Sequence, residues 1–351
     1  MPITTRDLNQ PHHYTAERNW IYQAINDQAA LCANLIASAK AKTLAPWLHE
    51  PERFADIQAV LLIASGSSFH AAQVARFWIE SLARLPAQVE LASEFCHQPL
   101  HVHTNTLVII LAESGEAPDT LAALTHAQQL AHRSIAIGHH ADSTLMQRVQ
   151  WPLVLDVGEQ HGRIATKTFC AQLLGLFLIT QTLAQSQNQP SNFDTELAAL
   201  PDAIAQILNL APQFKQWAQC LHAEAAIFIT ARQIYSPIAS EGALKFKAIA
   251  HRFAEACPCS ELKHGIEHLA KQKIALITCL PWDALTEKTL ADLRQFHHHD
   301  CAIFVLSDAP LAKISGLNTI QMPDKLKHLN PLLYAIALQG LAYYTSTMRT
   351  H

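Results

Sequence analysis

The segments LLIASGSSFHAAQVAR (residues 61–76) and LVIILAESGEAPDT (107–120) follow one plan. Each begins as an apolar run, stops at a short turn containing Ser and Gly, and continues in a helical pattern. An apolar run without polar interruption reads as a strand buried on both faces, the signature of a parallel sheet. Small residues after it let the backbone turn sharply and bring its N–H groups close to a ligand. A helix starting there points its positive dipole end at the same spot, which favours an anion. The two turns specify a small anionic molecule more clearly than what is done to it.

Around these turns, strands are predicted at 58–64, 87–91, 106–112, 133–138 and 152–156, with helices between most of them. That alternation implies right-handed βαβ units and a parallel sheet covered on both faces. Upstream, residues 1–45 read as an N-terminal arm and one long helix, with Ile21, Ile25, Leu31, Leu35 and Ile36 at near-helical spacing. Downstream, a long apolar helix is expected from Thr166 to Ala184. The stretch QSQNQPSNF (185–193) has the polar, aperiodic composition of a linker. A helical hairpin (194–222) follows, then strands at 225–230, 273–279, 301–306 and 318–322 and a final helix at 330–348. The second half thus repeats the first in architecture. The expected division is an arm and helix (1–45), one α/β domain (46–185), a linker and hairpin (186–222) and a second α/β domain (223–351).

Composition narrows the function classes. Half of the 351 residues are hydrophobic and 15% are charged, which suits a well-buried α/β protein. A formal charge of −4 without a basic stripe argues against a nucleic-acid partner. No signal-peptide pattern opens the chain, and the longest apolar candidate, Leu173 to Ile179, is too short to span a bilayer. The eight cysteines fall mostly inside apolar runs, as at Cys170, Cys220, Cys279 and Cys301, the pattern of buried free thiols in a reducing cytoplasm. A cytoplasmic protein without membrane contact is the expectation.

Four segments carry the chemistry: SGSS (65–68), ESGEAPDT (113–120), ATKTF (165–169), and the pair EGALKFK (241–247) and ELKHG (261–265). Their order and separations resemble the isomerase half of glucosamine-6-phosphate synthase, which consists of two sugar-isomerase (SIS) domains. The resemblance runs from about Pro46 to Tyr344, supported by RFWIESLARLPAQVELASEF (76–95) and FAEA (253–256). It implies an α/β fold of two SIS domains, a homodimer with sites shared between subunits, a phosphorylated sugar or amino sugar as ligand, and no cofactor. The synthase's glutaminase domain has no counterpart in residues 1–45, so glutamine-dependent ammonia transfer is not expected. Stand-alone relatives include amino-sugar-phosphate deaminases and isomerases and fructosamine-6-phosphate deglycases.

Carried over position by position, the resemblance places Ser67 and Ser68 at the sugar phosphate, with Thr166 in the segment beside the sugar. The family's second loop supplies Ser-Gln-Ser and a Thr to the phosphate; here those positions are Ala112, Glu113, Ser114 and Ala117. An unscreened Glu113 carboxylate would repel a phosphate by on the order of several kcal/mol. Arg163, where the family usually has a small apolar residue, is expected to pair with Glu113 or to contact the anion itself. Isomerisation needs a base to move a proton between adjacent carbons and an acid-base group to open the ring. The family's base position is occupied by Ala248, and its covering C-terminal lysine has no counterpart before His351. Glu241 and Lys245 stand one helical turn apart and can pair. His264 matches the ring-opening histidine, which the family takes from the neighbouring subunit.

The expected catalytic set is Glu241, Lys245 and His264, and the expected substrate-binding set is Ser67, Ser68, Glu113, Ser114, Arg163 and Thr166. Glu241, Glu255 or Glu261 could replace the absent base in a deaminase or deglycase. A helix-start ion pair for Glu241 and Lys245, and a capping or interface role for His264, stand as structural alternatives. The set Cys257, Cys259, His264 and His268 has metal-ligand residue types, but C-x-C is tighter than the usual zinc spacing, and no metal is expected. At the level of function, a phosphosugar isomerase, deaminase or deglycase stands against a sugar-phosphate binder that has lost catalysis. A third reading keeps catalysis but gives Glu113 a non-phosphorylated or cationic sugar.

Overall fold

The computed structural model describes residues 11–99, 105–129, 133–162, 164–269, 273–296, 301–309 and 317–348. In the first half, α1 (Pro11–Asn26) and α2 (Gln28–Lys40) precede β1 (Ala59–Ala64), α3 (Gly66–Trp78), β2 (Ala87–Leu91), α4 (Ala92–Phe95), β3 (Thr106–Leu111), α5 (Pro118–Gln128), β4 (Arg133–Gly138), α6 (Thr144–Arg148), β5 (Trp151–Val154) and α7 (Lys167–Ser186). The hairpin α8 (Asp194–Leu208) and α9 (Ala211–Ala223) leads into the second half. There β6 (Ala226–Ala231), α10 (Ser236–Ala250), β7 (Ala254–Pro258), α11 (Ile266–Leu269), β8 (Ile274–Leu280), α12 (Thr286–Phe296), β9 (Ala302–Ser307), β10 (Leu317–Gln321) and α13 (Asn330–Thr347) follow.

The strands form two five-stranded sheets, ordered β2-β1-β3-β4-β5 and β10-β9-β8-β6-β7. Every pairing is parallel. Counted from its own first strand, each sheet has the same order, so the second half does repeat the first. The two apolar runs that stop at Ser/Gly turns are β1 and β3, neighbours at the centre of the first sheet and buried throughout. The strand order reverses between them, and a doubly wound sheet opens its ligand crevice at that point, beyond the strands' C-terminal ends.

Two elements depart from the sequence expectation. The strand β7 is absent from the sequence expectation: it lies at the sheet edge beside β6, only Ala254 of its residues is fully buried, and Glu255 interrupts its apolar pattern. The single long N-terminal helix is two helices, interrupted at Asp27, although the Asp27 amide still bonds the Gln23 carbonyl.

One apolar cluster joins both halves, drawing on α2, α3, α7, α8, α10 and α13. The helices α7 and α13 are buried on nearly all sides, which explains their all-round apolar sequences. By length and composition α7 could cross a membrane, contrary to the expectation from the 173–179 run alone, but here it is a core helix with nearly all of its surface buried. All eight cysteines are free; Cys220 differs from the expected pattern in being exposed on α9. Burial pushes the Cys32 and Cys279 thiols up to about 12.

Candidate functional site

The turn after β1 and the loop after β3 face each other across a cavity of about 380 Å³. Its wall is formed by Gly66, Ser67 and Ser68 at the start of α3, by Glu113 and Ser114, and by Lys245 and Ala248 from α10. The free N–H groups of the first turn of α3 provide the anion-favouring end anticipated from the sequence. Gly115 keeps the second loop tight. Its φ is +71°, and a Cβ there would lie 2.4 Å from Ser143 Oγ. The loop is braced further by Glu116, whose carboxylate accepts the Thr144 backbone N–H at 2.6 Å and the Thr144 hydroxyl at 2.9 Å. The Ser114 hydroxyl accepts the Glu116 N–H at 3.2 Å.

Beneath the cavity runs a chain of polar side chains that spans both halves of the protein. Lys245 Nζ lies 2.7 Å from Glu241 Oε1 and donates to Ser67 Oγ at 3.0 Å. The second Glu241 oxygen lies 2.8 Å from His70 Nδ1. The side chains of Glu241 and Lys245 are 1% and 2% exposed, so the pair is cut off from solvent, whereas His70 is partly open. Burial alone would raise the Glu241 carboxyl. Lys245 and His70 outweigh it and hold the group below the ordinary carboxylate range. The spacing of Glu241 and Lys245 marked the pair in the sequence. His70 was missed, although it lies three residues after Ser67, one turn along the same helix face, and that was the available signal.

Glu113 has a different environment. The residue as a whole is exposed in the cavity wall, and its carboxyl is only partly shielded by the protein around it. Burial pushes its carboxyl above the ordinary range, Lys245 draws it down, and Glu241 pushes it up again. Thr168 Oγ1 approaches Glu113 Oε1 at 3.5 Å, the long limit of a hydrogen bond. The expected partner Arg163 lies outside the described residues.

The structure brings Ser67, Ser68, Glu113, Ser114, Glu241 and Lys245 together, with Glu241 directly beneath the cavity. Thr166 is placed elsewhere. It is buried and faces a neighbouring cavity of about 510 Å³ bounded by α1, α2 and the loop after β5, while Ile164 and Ala165 from its segment reach the site. His264 is exposed in the turn before α11 and is not part of the cavity wall of its own chain. Glu255 and Glu261 are likewise exposed and absent from the wall. Among the described residues, no group of three or more His, Cys, Asp or Glu is placed to hold a metal.

The second half uses its equivalent turns internally. After β6, Arg232 donates to Thr289 Oγ1 at 2.9 Å and pairs with Asp292. After β8, the Trp282 backbone N–H donates to Asp308 at 2.6 Å. Groups that would face a ligand in the first half are already satisfied in the second.

Comparison with known proteins agrees with this geometry. Residues 53–180 match the SIS domain model. The chain is 36% identical over 304 residues to the isomerizing glutamine–fructose-6-phosphate aminotransferase of Bordetella parapertussis, covering 84% of this chain and 50% of that protein. It therefore spans about half the length of the curated relatives it matches. The C-terminal domain of glucosamine-fructose-6-phosphate aminotransferase from Francisella tularensis superposes with a TM-score of 0.84 at 26% identity, covering 93% of this chain and 95% of that one. Glucosamine-6-phosphate deaminase from Thermotoga maritima shares the fold, with a TM-score of 0.69 at 16% identity, over 95% of this chain and 94% of that one. The chain is an SIS-domain protein, homologous to the isomerase domain of glutamine–fructose-6-phosphate aminotransferase.

Proposed function

We propose that this chain binds a phosphorylated amino sugar or fructosamine in the cavity between β1 and β3 and acts on it without glutamine, as an isomerase, deaminase or deglycase. The observation that carries this reading is the Ser67–Lys245–Glu241–His70 chain beneath the cavity, because it places a buried, charge-compensated amine beside hydroxyls suited to a sugar phosphate. The turn of α3 and Ser114 would hold the phosphate. With its own proton passed to Glu241 at 2.7 Å, Lys245 would take the proton from one carbon next to the carbonyl and return it to the other. In the deaminase form, one water adds to the imine carbon of the amino-sugar phosphate, and ammonia leaves to give the ketose phosphate. His264, exposed on its own chain, would open the sugar ring in the site of a second copy, so the working unit is a cytoplasmic homodimer.

A specific observation favours a second reading. Ala248 lines the cavity where the resemblance calls for a base, and among the described wall residues Glu113 is the one carboxylate facing the ligand. A sugar-phosphate binder without turnover would look the same. The test is to incubate the protein with glucosamine 6-phosphate and with fructose 6-phosphate plus ammonia, following ammonia and sugar interconversion, alongside Lys245→Met. Turnover that falls at least ~100-fold in Lys245→Met supports the enzyme. Binding without turnover in the wild type leaves the binder.

A further inference from the structure

The cavity lacks a free positive charge among its described wall residues. Lys245 is the cation there, and its charge is committed to Glu241 at 2.7 Å while one of its N–H groups serves Ser67. The groups acting on Glu113 come from two helices: Lys245 and Glu241 from α10, and Thr168 from α7. His70 on α3 is held to Glu241 instead. The neighbouring Lys167 turns its ammonium to the Glu159 carbonyl at 2.7 Å, and Glu116 is turned to Thr144. An ionised Glu113 and a doubly charged phosphate would therefore meet with no described cation free to stand between them.

We propose that Glu113 makes phosphate binding at this site proton-linked: the ester is taken up together with one proton, shared between the Glu113 carboxyl and a phosphate oxygen. This rests on the phosphosugar reading and adds a selectivity to it. The protonated carboxyl donates an O–H bond to the ester, doing by protonation what an amide side chain does by its N–H. The balance is simple. Above both ionisations, the free carboxylate and the free dianion carry no shared proton, and the complex carries one drawn from solvent. Burial already holds the Glu113 carboxyl above its ordinary range, which lowers the cost of protonating it. The phosphate's second ionisation, near pH ~6, places its partner within reach of the same proton. The site thus selects against a ligand whose remote end stays fully charged at alkaline pH.

The test is calorimetric titration with glucosamine 6-phosphate between about pH 5.5 and about pH 8.5, in two buffers of different protonation enthalpy, for wild type and Glu113→Gln. The wild type should take up about one proton at the alkaline end, with Kd rising about tenfold per pH unit there. Glu113→Gln should take up none, and its Kd should not rise with pH. Equal proton uptake in the two proteins, or none in the wild type, overturns the inference while leaving phosphosugar binding in place. Binding by Glu113→Gln alone, at every pH, also overturns it, since Glu113 would then exclude phosphate outright. Absence of binding by both proteins at every pH removes the phosphosugar reading and this inference with it.

Discussion

His70 Nδ1 stands 2.8 Å from Glu241 Oε2, a contact between residues 171 positions apart in the chain. It exists because α3 of the first half packs against α10 of the second. Since His70 helps to depress the Glu241 carboxyl, its loss should let that carboxyl rise toward its ordinary value. His70→Ala is expected to cut turnover about 10-fold or more and move the acid limb of the pH–rate profile to higher pH. His70→Asn, which keeps a donor, should recover part of both effects. An unmoved acid limb would show that His70 does not tune Glu241.

The ion pair beneath the cavity should matter to stability as well. Removing Glu241 leaves the Lys245 ammonium buried without its partner, and breaking such a pair costs about 3–5 kcal/mol. Denaturant unfolding of Glu241→Ala should show that loss, and pairing the change with Lys245→Met should restore much of it. A double variant no more stable than Glu241→Ala would contradict the account.

Gly242 in the EGALK segment has a packing role. A Cβ there would lie 2.6 Å from Leu338 Cδ1 on α13 and 3.1 Å from Ile229 Cδ1 on β6. Gly242→Ala should destabilise by about 1–3 kcal/mol despite the better helix propensity of Ala, because α13 must give way. A thermal melt suffices; an unchanged or higher Tm would show that Leu338 relaxes without cost.

Glu196 on α8 holds the start of α13. Its carboxylate accepts the backbone N–H groups of Lys327 and Leu329, at 2.8 and 2.6 Å, and approaches His328 Nδ1 at 2.9 Å. Burial would raise the carboxyl, but His328 and the backbone donors hold it below its ordinary range. A depressed carboxyl contributes stability above its unfolded pKa, and that contribution is lost as pH falls through the folded one. Glu196→Ala should cost about 2–3 kcal/mol near neutrality, with the difference from wild type shrinking in acid. A difference that stays constant with pH would assign the loss to packing alone.

Glu113 should behave in the opposite sense. Its folded carboxyl is raised, so the native state binds more protons between the unfolded and folded pKa values, and stability falls as pH rises through that window. Glu113→Gln should therefore melt higher than wild type at neutral pH and converge with it in acid. A lower Tm at neutral pH would mean that the Glu113 carboxylate is a stabilising partner of Lys245.

The two parallel sheets were legible in the order of amino acids, since β1, β3 and their counterparts announce burial by unbroken apolar runs, and the Ser/Gly turns announce where a ligand would approach. The sequence also marked Glu241 and Lys245, whose one-turn spacing is local. Local pattern could not supply β7, whose half-exposed edge position leaves no continuous run, or the placement of Thr166 in the neighbouring cavity rather than beside Ser67. Above all, the meeting of Ser67 and His70 with Lys245 and Glu241 came from long-range packing. Those contacts depend on how two helices from opposite halves settle against each other over a shared core, and the side chains of that core set their separation together.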